Sequence, residues 1–240
     1  ASGHIPAVVR EGMAYAEFTA GEHRWRIGPQ GVAAADFWHK HLDGINTDPI
    51  LTRSVADEKG GEISVVLEAG ASALVQRAAR ERNITPYAVL LACYARLLGE
   101  ETGRDELIIG TPATLRDRAA LRNTVGYLVN TVQIRCPVAT GGADPVSAVD
   151  VNARNALARR RFPFSVLVEQ LRVARAPGVT PLIQSMFAYQ SLPREDRALL
   201  PLALNADGVK WDFGAGVSAE TVAMPAFDAQ FPIALSLGRR

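Results

Sequence analysis

The sequence predicts an α/β fold, a lobe built on a mixed sheet flanked by helices. Three observations predict it. Val129–Arg135 alternates like a strand, with Asn130, Val132 and Ile134 on one face and Val129, Thr131, Gln133 and Arg135 on the other. Pro86–Leu98 is apolar nearly all round, as a helix lying under a sheet must be. Strand-like and helix-like stretches follow in the order strand, helix, helix, strand, helices, strand, strand, which suits an α/β layer with a mixed sheet.

The elements follow in order. Ala1–Pro6 has neither the charged start nor the apolar stretch of a signal peptide, and residues 1–10 are expected to be a tag remnant and linker. Residues 1–32 look mixed and turn-prone, with Tyr15, Phe18 and Trp25 as anchors. Ala33–Leu42 is expected to form a short helix that packs through Phe37, Trp38 and Leu42 and ends at Asp43-Gly44. A polar linker, Asn46–Glu62, closes on Gly60-Gly61, so 11–60 is expected to be linker with a short helix and 61–240 the lobe itself.

Ile63–Glu68 alternates like a half-buried strand, and Ser72–Asn83 is an amphipathic helix rich in Ala and Arg. Thr85-Pro86 is a strong helix start, Thr as N-cap and Pro in the first turn. Gly103 ends that helix and the strand Glu106–Gly110 follows. Asp144-Pro145 starts another helix with Val146, Val149, Ala153 and Leu157 on one face, and Arg159–Arg161 complement its negative C-terminal end. Pro163 breaks it, and Ser165 can cap a further helix through Leu171. Ile183–Gln190 and Phe231–Leu237 are strands. The stretch between them, Ser191–Gln230, is too long for an ordinary loop and is expected to hold a short strand or two.

Composition narrows the classes. The 240 residues are 48% apolar, enough for a sizeable core. With 26 basic against 25 acidic residues the formal charge is +1, and basic residues pile up only at Arg159–Arg161, which is no nucleic-acid footprint. No apolar run reaches the roughly 18 residues needed to span a bilayer. The two cysteines, Cys93 in an apolar helix and Cys136 at a strand end, make no disulfide framework, so cytoplasmic residence is expected.

The residues offer no complete catalytic set. His39, four positions before Asp43, has the spacing of a general base with an orienting carboxylate, but Asp43-Gly44 has a sufficient role as helix terminator. His39 and His41 are two apart, on different helix faces, which argues against a metal pair, and no metal site is expected. No phosphate-binding Gly-rich loop opens a helix. Cys93 is expected to be core rather than nucleophile. Arg159–Arg161 suit a solvated helix end first and an anionic contact second. Asn130, on a face with Val132 and Ile134, needs partners for its amide; either it ties down a neighbouring loop or it meets a substrate amide in a cavity.

A set of motifs in order then resembles the condensation domains of nonribosomal peptide synthetases. Val125-Gly126-x-x-Val129-Asn130-Thr131-x-x-x-Arg135 is similar to their Ile-Gly-x-Phe-Val-Asn-Thr-x-x-x-Arg motif. Gly110-Thr111-Pro112 with Arg116 resembles the upstream Gly-x-Pro-x-x-x-Arg turn. Phe162-Pro163-Phe164 resembles the Tyr-Pro-Phe-Glu element, and Arg175 with Pro181-Leu182-x-Gln184 the Arg-Asp-x-x-x-x-Pro-Leu-x-Gln stretch. Tyr15-x-Glu17-Phe18, Phe37-Trp38-x-x-x-Leu42-x-Gly44 and Phe231-Pro232-Ile233 extend the resemblance over roughly 13–237. The chain departs from the pattern at Arg159-Arg160-Arg161, where the family has His-Gln-Asp, at Ser165 for Glu, and at Ala176 for the acid after the arginine.

The resemblance implies a chloramphenicol acetyltransferase-like lobe, with 61–240 as the C-terminal lobe and 11–60 as the inter-lobe linker. In the family, amide bonds form between an acyl or peptidyl thioester and an aminoacyl acceptor, both carried on phosphopantetheine arms of carrier proteins. The active-site His-His-x-x-x-Asp-Gly lies in the N-terminal lobe, before the Tyr-x-Asp-Phe block; it is not in this chain, so no catalytic residue is expected here and the lobe is expected to be inactive alone. The resemblance makes Tyr127, Asn130, Thr131, Gln184 and Ser185 candidates for the substrate tunnel. Arg116 and Arg175 either hold loops or contact a pantetheine phosphate. The expected partners are the N-terminal lobe, the carrier proteins and an adenylation domain, with no cofactor bound directly and with self-association through the exposed lobe face. The alternative is a non-catalytic condensation-like platform that recruits a partner protein through Arg159, Arg160 and Arg161.

Overall fold

A computed structural model describes residues 12–48, 50, 61–138, 144–172, 181–183, 185–190, 198–224 and 231–238. Four strands make the main sheet: β1 (Glu106–Thr114), β2 (Val129–Pro137), β3 (Ser185–Gln190) and β6 (Ile233–Gly238), in the order β2-β1-β3-β6. β1 and β2 are antiparallel, while β3 lies parallel to both β1 and β6, so the sheet is mixed, as expected.

Register decides which residues share a face. Ile109 pairs with Ile134 and with Ser185, so Ile109, Thr111, Asn130, Val132, Ile134, Ser185 and Phe187 point one way. Helices α4 (Pro86–Thr102) and α5 (Pro145–Ala158) cover that face. Leu91, Ala95 and Leu98 of α4 and Val149, Ala153 and Ala156 of α5 join Ile109, Val132, Ile134 and Phe187 in one core. Local chemistry places both helices. Thr85 accepts from the Ala88 N–H and Asp144 from the Val146 N–H, each just before a proline. Gly103, at φ 67°, closes α4. α3 (Ala69–Arg82) packs on α4 and ends on left-handed Asn83.

β1 runs on through Pro112 to Thr114, beyond the turn expected there. The Leu115 N–H donates to Leu128 O, so odd-numbered amides of β1 face β2 and Pro112 faces the β3 side. The β1–β3 pairing ends at Gly110–Met186, and the missing N–H of Pro112 therefore costs no ladder bond.

Four expectations are corrected. Residues 15–32 are not turn-prone: they form α1 (Tyr15–Ile27) and the start of α2 (Pro29–His41). Phe18 is the only fully buried side chain of α1, so no apolar stripe announces that helix. α2 begins earlier than Ala33 because Pro29 opens it, and Ala34, Trp38 and Leu42 enter the main core. Ile63–Glu68 takes no strand: Ile63 is 92% and Val65 77% exposed, and alternation with no neighbouring strand among the described residues yields no ladder. Cys93 is exposed, not core, because α4 turns Cys93, Arg96, Leu97 and Glu100 outward while the sheet, α3 and α5 take its other sides. Cys136 is buried, and burial pushes its thiol well above the usual range.

The expected short strands in Ser191–Gln230 are β4 (Lys210–Asp212) and β5 (Ser218–Glu220), an antiparallel pair preceded by α7 (Leu200–Ala203). α6 (Phe164–Gln170) follows Pro163, but Ser165 does not cap it. The side chain of Asn130 does, its Oδ1 accepting from the Phe164 N–H at 3.1 Å.

The free edge of β2 is blunted by two side chains at Arg135. His41 Nε2 accepts from its N–H at 3.4 Å, and Asn152 Nδ2 donates to its carbonyl at 2.8 Å. The Arg135 guanidinium makes a two-pronged pair with Glu106 at 2.6 and 2.8 Å and donates to the carbonyls of His41 and Asp43. Burial, reinforced by the Arg135 charge, lowers His41 from 6.5 to about 4. Below pH 6.5 the unfolded chain takes up a proton that the folded chain refuses until about pH 4. Stability is therefore whole above pH 6.5 and falls as the pH drops through that window, by about 1–2 kcal/mol once solvent screening is allowed for. Urea titrations at pH 7 and pH 5 should show this loss, and His41→Gln, which keeps an acceptor but cannot protonate, should reduce it.

Candidate functional site

The motif stretch 121–131 is built by contacts from three directions. Arg116 holds it from within: Nη1 donates to the carbonyls of Leu121 (2.7 Å), Arg122 (3.4 Å) and Thr124 (2.7 Å), and Nη2 to Gly126 (3.5 Å). Of the two roles open to Arg116, the geometry realises loop-holding. α1 holds the stretch from outside. Phe18 packs with Leu121 and Leu128 in a second small core, Met13 exchanges bonds with Ala120 and Thr124, and Tyr15 Oη donates to Tyr127 O at 3.2 Å. Gly126, at φ 154°, lies against the Tyr15 ring so closely that a Cβ would sit 2.3 Å from it. Val125 and Tyr127 are left 91% and 72% exposed.

From below, Asn130 ties β2 to the turn between α5 and α6. Its Nδ2 donates to the carbonyls of Arg160 and Phe162, both at 2.7 Å, while its Oδ1 caps α6. Both donors and an acceptor are spent inside the chain. The loop-tying alternative is the one the hydrogen bonds realise.

The tunnel candidates do not all come together. Asn130 and Ser185 lie on the helix-covered face, and Ser185 is buried with its Oγ 2.6 Å from Tyr94 Oη. Burial raises the Tyr94 hydroxyl above its usual range. Thr131 lies on the opposite face, half-buried, beside exposed Pro112, Thr114 and Val129. Tyr127 stands at the rim of that open face. Thr131 is therefore separated by the sheet from Asn130 and Ser185, because neighbouring residues of a strand point to opposite sides. Gln184 and Arg175 lie outside the described residues.

The three arginines are engaged within the chain. Arg159 lies 4.0 Å over the Phe37 ring and donates to Asn155 O. Arg160 donates to Thr114 O and Leu157 O and pairs with Asp117. Arg161 pairs with Glu22 and lies 4.7 Å over Trp25. Together they fasten the turn to α1, α2 and the end of β1. His39 is exposed on α2 while His41 faces the β2 edge, on different sides of the helix as their spacing requires. Among the described residues no group of three or more His, Cys, Asp or Glu could hold a metal ion, and no helix is long and apolar enough to cross a membrane.

Tyr15 is marked in the sequence as an anchor and in Tyr15-x-Glu17-Phe18, but its bond to Tyr127 is not, and Glu22 carries no local signal. Their roles depend on where α1 lands.

A sequence profile described as the condensation domain matches residues 6–215. The chain belongs to the condensation-domain family. Among relatives, a phosphinothricin tripeptide synthetase, PhsB, of Streptomyces viridochromogenes is 33% identical over 204 residues, 81% of this chain and 17% of that protein. An isonitrile lipopeptide synthase of Mycobacterium tuberculosis is 36% identical over 141 residues, 58% of this chain and 6% of that protein. Among solved structures, the condensation domain of the monacolin K polyketide synthase MokA superposes with a TM-score of 0.72 at 17% identity, over 96% of this chain and 54% of that one. The four-domain nonribosomal peptide synthetase AB3403, bound to AMP and glycine, gives 0.77 at 21% identity, over 93% of this chain and 18% of that one. This condensation-family chain thus spans about half of a single-domain structure it matches and a small fraction of the multidomain synthetases.

Proposed function

We propose that the chain is the acceptor-side half of a condensation domain that forms amide bonds in nonribosomal peptide synthesis. The observation that carries this reading is its extent: nearly all of it superposes on 54% of a condensation-domain chain. A second half would meet the face of the sheet away from α4 and α5 at the end where Thr114 pairs with Val129: Val129 and Tyr127 are exposed and Thr131 half-buried there, while Ile108, Gln133 and Ala188 farther along that face are buried.

In this reading the acceptor amine attacks the thioester carbonyl, the C–N bond forms, the C–S bond breaks and the donor arm leaves as its thiol. Phosphopantetheine arms of carrier proteins deliver both partners; no cofactor is bound by this chain. Tyr127 and Thr131 shape one wall, and Arg116 and Asn130 hold that wall still. The histidine that handles the amine proton belongs to the other half, so this half alone makes no amide.

Val125 and Tyr127, adjacent in the motif turn and both largely exposed, offer apolar surface for that second half to cover. The platform reading rests on Arg159, Arg160 and Arg161, whose contacts to Phe37, Asp117 and Glu22 favour a role in fastening the turn.

The test is mass spectrometry of carrier-bound products after incubating this chain alone with both loaded carriers. No amide is the expected result. Product that disappears in His39→Ala would make the chain a complete catalyst and overturn the proposal.

A further inference from the structure

α1 is a poorly buried helix in an informative place. Phe18 is its only fully buried side chain and Trp25 packs half-buried against the main core, while its contacts to the motif stretch and the α5–α6 turn lie toward its two ends. At the N-terminal end are the Tyr15 hydroxyl on Tyr127 O and the Tyr15 ring on Gly126. Toward the C-terminal end Glu22, its side chain 15% exposed, pairs with Arg161 at 2.5 Å, and that guanidinium also lies over Trp25. Arg161 belongs to the turn whose carbonyls Asn130 holds. The Gly126–Tyr127 turn is thus gripped between β2, through Asn130 and the α5–α6 turn, and α1, through Tyr15.

We propose that α1 is a strap that fixes the Gly126–Tyr127 turn, with Tyr15 and Glu22 as positioning residues that set where Tyr127 stands. This deepens the reading of Tyr127 as tunnel wall and rests on it for its meaning. The physical basis is the stiffness of a helix: a charge pair at Glu22 and a ring contact at Tyr15 restrain one rod. Freeing one end lets the other swing. Gly126 offers no side chain of its own to hold the turn, so its order comes from Arg116, which reaches its carbonyl at 3.5 Å, and from the Tyr15 ring above it. A partly desolvated ion pair is a strong anchor for such a rod, because removing one partner strands the other.

The test is 15N relaxation on the chain itself, comparing wild type, Tyr15→Phe and Glu22→Gln. In wild type, Gly126 and Tyr127 should show order parameters of a rigid backbone, about 0.85, falling below about 0.6 in Glu22→Gln and part of the way in Tyr15→Phe. The β1–β2 ladder should stay unchanged in both, a split that a merely stabilising contact would not produce. If α1 loosens while Gly126 and Tyr127 stay ordered, the strap is refuted. If every residue loosens together in Glu22→Gln, Tyr15→Phe decides, since it deletes a single oxygen: a turn left rigid in that variant overturns the proposal. These outcomes do not depend on amide formation, so the strap can fail while the half-chamber stands, and the reverse.

Discussion

Asn130→Asp is expected to lower stability by about 3–5 kcal/mol, far more than its near-identical shape suggests. Both Nδ2 hydrogens point at carbonyl oxygens 2.7 Å away, those of Arg160 and Phe162. A carboxylate puts an anionic oxygen there instead, so two good bonds become two repulsions and two carbonyls lose their donor. The cap on α6 survives, because the other oxygen still accepts from Phe164. The loss is therefore specific to the α5–α6 turn. A urea midpoint that falls sharply with an unchanged slope would fit. The deficit against wild type at the same pH should narrow in acid, where a protonated carboxyl regains one donor. A cost within about 0.5 kcal/mol would mean that the turn does not depend on Asn130.

Trp38→Ala is expected to cost about 3–5 kcal/mol, as large deletions in packed cores do. Trp38 is 1% exposed and packs edge-on to Phe37 and His41, so its removal empties the joint between α2 and the core. Trp38→Phe should cost less than half as much. The indole N–H has no partner among the described residues, so phenylalanine gives up volume but no hydrogen bond. Thermal or urea unfolding of the two variants checks the ratio. Equal losses would show that the indole nitrogen holds something after all.

What was legible in the sequence follows from the range of each cause. Thr85, Asp144 and Gly103 act on backbone groups within a few residues, so the ends of α4 and the start of α5 could be read directly. The alternation of β2 likewise put Asn130 with Val132 and Ile134. What stayed hidden depends on distant partners. The cap of α6 comes from Asn130 and not from nearby Ser165. α1 buries only Phe18, and its order comes from Tyr127 and Arg161, which no period in its own residues reveals. Ile63–Glu68 shows the converse, a pattern that suits a strand with no strand beside it.

The site divides in the same way. The motif that carries the family likeness is contiguous, from Val125 to Arg135, and could be read directly. Whether Ser185 shares a wall with Thr131 depends instead on the pairing of Ile109 with both Ile134 and Ser185. That register puts Ser185 under α4, against Tyr94, and leaves Thr131 on the open side. The arginines at 159–161 looked free because their partners, Phe37, Asp117 and Glu22, are remote in the chain.

The most direct measurement mixes this chain with a separately produced half that carries His-His-x-x-x-Asp-Gly, and follows amide formation between two loaded carriers. The expected result is no product from either half alone, and turnover that rises and saturates as this chain is added. Amide formation by this chain at full rate without the other half, or no dependence on it when the two are mixed, would contradict the central claim.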